Sequence, residues 1–133
     1  MIKFFLKYDY CLAEWFVPKK RKSGIEPMVS YLFLGKLSFI YFSIYCIIIH
    51  YIPYKLSIEA LVIGIMAGMA LIMYGFQKSV ARWMKEYELR KEYKYLPLNE
   101  RRKRNFIGLT SCIFIFYGSF FIGVKMIGGY AVN

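Results

Sequence analysis

Apolar residues gather in three blocks, 31–52, 57–77 and 106–127, and charge returns every few positions in the stretches between them. Each block has about 20 residues, the length of α-helix that crosses a ~30 Å hydrocarbon layer. The charges inside the blocks, Lys36, Glu59 and Lys125, stand near their ends. A helix of a water-soluble bundle would instead show a charged face at every turn. The pattern predicts an all-α membrane protein with three transmembrane helices. A segment 1–29 precedes a domain 30–133, which holds the spans and a loop, 78–105, between the second and third.

The polar stretches carry their own periodicity. In 1–17, Ile2, Phe5, Leu6, Leu12, Ala13 and Phe16 share a broad helical face, with Asp9 as a flaw in it. Lys7, Asp9 and Glu14 interrupt this stretch too often for the apolar core of a secretory signal. An amphipathic helix follows, lying either on the inner leaflet or on the protein's own loop. Pro18 to Pro27 encloses Ser-Gly and reads as a linker. Pro53 ends the first span, and the short turn after it makes the first two spans antiparallel neighbours. Ser57 can cap the second helix, and Glu59 suits its positive dipole end.

Neither glycine nor proline occurs between Gly75 and Pro97. The second span is therefore expected to continue as one charged helix through Tyr95, its polar part reaching roughly 27 Å beyond the membrane. Glu86 with Arg90 and Glu88 with Lys91 have the spacing of helix-supporting ion pairs. Val80, Trp83, Met84 and Tyr87 extend the apolar stripe, whereas Leu89, Tyr93 and Leu96 form a second face that water disfavours. That face predicts a contact, with 1–17 or with a partner protein. Pro97 stops the helix, and Asn99 can cap the next.

A formal net charge of +11 over 133 residues suggests nucleic acid until the charges are located. They crowd ahead of the first span and between the second and third, with only Lys55 in the outer turn and none after the third span. That is the positive-inside arrangement. It predicts a cytoplasmic N-terminus and loop, an outside C-terminus and a bacterial inner (cytoplasmic) membrane, with no nucleic-acid partner. Lys19, Lys20, Arg21, Lys22, Arg101, Arg102, Lys103 and Arg104 would meet anionic inner-leaflet lipid, each contributing about 1 kcal/mol.

Candidate chemistry is sparse. One histidine, His50, and scattered Cys11, Cys46 and Cys112 supply no metal-ligand set, and no sequence signal calls for a cofactor. No constellation of titratable residues suggests catalysis. Ala60, Gly64 and Gly68 recur every fourth residue, and Ser119 with Gly123 repeats the spacing. Such small-residue ridges let helices approach closely, within one chain or between copies. The expected role is a non-enzymatic anchor or accessory interaction subunit of a membrane complex. Alternatives are a homo-oligomeric pore, holin-like or a membrane-disrupting effector, and an immunity or exclusion protein that binds a toxin in the bilayer.

Overall fold

The computed structural model describes residues 1–17 and 25–131, with no strand among the described residues. The helices are α1 (Ile2–Phe16), α2 (Ile25–Tyr51), α3 (Ile58–Gly75), α4 (Gln77–Glu86), α5 (Leu89–Tyr95) and α6 (Leu98–Ala131). Helix α2, α3 together with α4, and α6 are long and apolar enough to cross a membrane. Helix α2 begins inside the expected linker, so Pro27 falls in its first turn. A proline is tolerated there because its missing N–H has no intrahelical acceptor to lose.

Helix α2 is the shared partner. It packs against α1, α3, α4 and α6, whereas α3 and α6 make at most marginal contact among the described residues. In the most apolar stretch of α2 33% of residues are buried, against 6% for α3–α4 and 17% for α6. The spans thus form an open layer with α2 in the middle. On one flank, the Tyr41 hydroxyl donates to the Gly64 carbonyl at 3.1 Å. The phenol rings of Tyr45 and Tyr41 occupy the space that a Cβ would take at Gly64 and Gly68. On the other flank, the Ser119 hydroxyl donates to the Phe39 carbonyl at 3.1 Å, and the Phe42 ring fills the place of a Cβ at Gly123. Lipid tails are as apolar as the helices, so such close fits and hydrogen bonds hold spans together.

The second span does not run on to Tyr95. Helix α3 passes into α4 through Phe76, whose backbone stays right-handed at φ −94°, ψ −4°. The chain then breaks at Glu88, which takes the left-handed conformation at φ 47°, ψ 41°. A non-glycine residue there costs roughly 1–2 kcal/mol. The compensation lies next door: Leu89 is 2% exposed and joins Leu6, Tyr10, Ala13, Val80 and Met84 in one apolar cluster. A straight helix would leave Leu89 in water. The expected extended arm is instead folded back as a collar of α1, α4 and α5 around one end of the spans. Helix α6 starts at Leu98, ahead of the expected Asn99 cap, with the Arg101 N–H donating to the Pro97 carbonyl at 3.1 Å.

Candidate functional site

The collar is built on α1, and α1 is seated by a charge. Leu6, Asp9, Tyr10, Cys11, Leu12 and Ala13 are its buried residues. The expected face is rotated: Ile2, Phe5 and Phe16 are 40%, 36% and 51% exposed, while Asp9 points inward at 0%. Gly108 of α6 allows the close approach, since a Cβ there would stand 3.2 Å from the Tyr8 carbonyl oxygen. Asp9 forms an ion pair with Lys36 of α2, both side chains being shut off from water. Lys36, the charge near the start of the first apolar block, therefore turns to α1.

Cys112 of α6 closes the pair from a third side, its thiol lying against Lys36. Asp9 Oδ2 and Asn105 Oδ1 are buried without a hydrogen-bond partner among the described residues. Burial pushes the Asp9 carboxyl up to about 6, against the opposing pull of the Lys36 ammonium. Desolvation thus outweighs attraction, as is common for buried pairs. Such a pair is a weak source of net stability and a strong determinant of which helix face docks where.

A more exposed ring of charges surrounds it. Lys7 meets Glu92 at 2.6 Å, and Arg104 approaches the same carboxylate at 3.9 Å. Tyr10 and Tyr93 contact edge to face with ring centres 5.6 Å apart. The Arg101 guanidinium lies 4.4 Å from the centre of the Tyr93 ring. It also donates to the Tyr93 and Lys94 carbonyls at 2.9 and 3.2 Å, closing the last turn of α5. Burial raises the Tyr10 hydroxyl's pKa, and Glu14 adds to the shift. Burial also raises Tyr93 and Cys11, opposed by Arg101 and Arg104 respectively.

The expected site residues are distributed as follows. Leu89, Tyr93 and Leu96 line a small void with Lys7, Tyr10, Cys11 and Arg104, so their neighbour is α1 of the same chain. The basic run of α6 divides by helical phase: Arg101 and Arg104 face the collar, whereas Arg102 and Lys103 are exposed. Lys19, Lys20, Arg21 and Lys22 lie outside the described residues. Gly64, Gly68, Ser119 and Gly123 all meet α2, and Ala60 is exposed. His50 rests edge-on against Tyr51, with ring centres 5.4 Å apart. No three His, Cys, Asp or Glu side chains converge as metal ligands among the described residues.

The Asp9–Lys36 pair escaped the sequence reading, although each member stood out alone as a charge on an apolar surface. Two such anomalies in one membrane protein are a signal to look for each other. The pair is too deeply enclosed to meet a substrate and acts as a latch of α1 onto α2 and α6. No family model matches the chain, and neither a curated protein nor a solved structure matches it.

Proposed function

We propose that this protein is a small non-enzymatic subunit, an anchor or accessory component of a larger complex in a bacterial inner membrane. The observation that carries the reading is that, among the described residues, α2 is the one span packed extensively against α3. Val62, Ile63 and Leu71 are 52%, 67% and 72% exposed, while α2 has α6 on its other side. A partner's helix can pack on that free flank without rearranging the chain. Positive-inside loops support a cytoplasmic N-terminus and collar, with the C-terminus outside. The pore alternative loses support, because Gly64 and Gly68, the ridge on which copies would assemble, already hold Tyr45 and Tyr41.

Gentle detergent extraction from the native membrane, followed by native mass spectrometry, tests the proposal. A stoichiometric partner protein is expected. Ile63→Trp and Leu71→Trp on the free flank should release it without lowering the subunit's melting temperature. A monomer with no companion, or a partner indifferent to both substitutions, would overturn the proposal.

A further inference from the structure

Helices α2 and α3 touch closely at Tyr41 and Tyr45 and leave a groove nearer the collar. Its wall on α3 is Met66, Met69, Ala70 and Met73, and Leu34 of α2 stands opposite. Ser30, Tyr31, Tyr74 and Gln77 supply polar atoms, and Gln77 lies at the collar end. The groove has a volume of about 380 Å³. The helical rise from Met66 to Gln77 is roughly 16 Å. An apolar wall that ends in polar side chains suits a hydrocarbon chain carrying a polar headgroup.

Charge at the polar end identifies what the chain belongs to. Tyr74, Lys78 and Arg82 follow at four-residue spacing and so share one side of α3 and α4. Lys78 and Arg82 are exposed, and neither has an acidic partner among the described residues. The nearest acid on the α2 edge, Glu26, lines a separate cleft together with Lys85 and Arg90. We propose that this groove binds one anionic phospholipid, with an acyl chain along Met66–Met73 and the headgroup phosphate at Lys78 and Arg82. Methionine suits the task, since its unbranched thioether adapts to an irregular apolar guest. The site differs from the basic run of α6 in combining an apolar groove with a cationic mouth.

The test uses the full chain, delipidated in detergent and then offered equal amounts of phosphatidylglycerol and phosphatidylethanolamine. Native mass spectrometry counts the lipids retained. The expected result is one bound lipid with about tenfold preference for phosphatidylglycerol. Lys78→Gln with Arg82→Gln should bring that preference near unity, whereas Lys91→Gln with Lys94→Gln, an equal charge change elsewhere, should leave it intact. Ala70→Phe should expel the lipid, and Met66→Trp, at another exposed wall position, repeats this test if Ala70→Phe does not fold. Water-soluble glycerophosphoglycerol, which lacks acyl chains, should not bind. Equal retention of both lipids by the wild type would overturn the proposal. So would a preference that survives loss of Lys78 and Arg82, or a lipid that persists in folded groove-filled variants.

Discussion

The carboxylate of Asp9 in α1 and the ammonium of Lys36 in α2 are ion-paired with 0% and 8% of their side chains exposed. Removing one partner of so enclosed a pair strands a charge and costs about 3–5 kcal/mol. Lys36→Met should therefore lower stability by about that amount at pH 8. Adding Asp9→Asn to it should recover most of the loss. Thermal unfolding of the two variants in one detergent decides this.

The same carboxyl makes docking of α1 depend on pH. Its value rises from the ordinary 3.8 of a free aspartate to about 6 on docking. The docked state therefore holds a proton that the free helix has lost. Docking is favoured fully below pH 3.8 and weakens as pH rises through about 6, by ~3 kcal/mol in all. Amide exchange of α1, corrected for intrinsic rates, should show protection falling between pH 4 and 6.5. In Asp9→Asn the profile should be flat.

Tyr41 and Gly68 act as one fitted unit in the bilayer. A methyl group at Gly68 has to displace the Tyr41 ring, so Gly68→Ala should destabilise by about 1–3 kcal/mol. Tyr41→Phe keeps the ring and loses only the hydrogen bond to Gly64, at a cost of about 0.6 kcal/mol. Equilibrium unfolding should rank the variants in that order.

The basic run of α6 should behave as two pairs. Arg101→Gln removes the side chain that closes α5, and Arg104→Gln removes a neighbour of Glu92. Exchange across α5 should quicken in both, with about 1–2 kcal/mol lost for Arg101. Arg101→Lys rescues little, because an ammonium cannot reproduce the planar stack on Tyr93. Arg102→Gln and Lys103→Gln, at exposed positions, should stay within about 0.5 kcal/mol of the parent.

Glu88 offers a gain. Glycine adopts its left-handed backbone without penalty, so Glu88→Gly should raise stability by about 1 kcal/mol. Its ion pair with Lys91, 60% and 72% exposed, is worth little. Glu88→Val should be destabilising. A melting temperature that falls with glycine would mean that the turn is not formed in solution.

The three apolar helices were legible because a bilayer imposes a length on any segment that crosses it, and 31–52, 57–77 and 106–127 each meet it. The break at Glu88 was not legible. No glycine or proline marks it, and its cause is distant: Leu89 finds its burial against α1, more than seventy residues earlier in the chain. Leu89, Tyr93 and Leu96 were visible as an apolar face wanting cover, but one-dimensional periodicity cannot say which surface provides it. Asp9 and Lys36 fell to the same limit. Each was read alone, Asp9 as a flaw in a helical face and Lys36 as a charge near the end of a span, and only the packing of α1 across α2 joins them.

The central place of α2 has a consequence for how the chain is made. Synthesis proceeds from the N-terminus, so α2 is the first of the spans to reach the bilayer. Helix α3, and later α6, then emerge beside a surface that is already in place, and neither must wait for the other. The membrane layer can grow by accretion. Helix α1 is the exception, since half its seat lies on α6, the third of the spans. Helix α1 precedes all three spans yet is sealed only after the third, and the Asp9–Lys36 pair stays hydrated until α6 is in place.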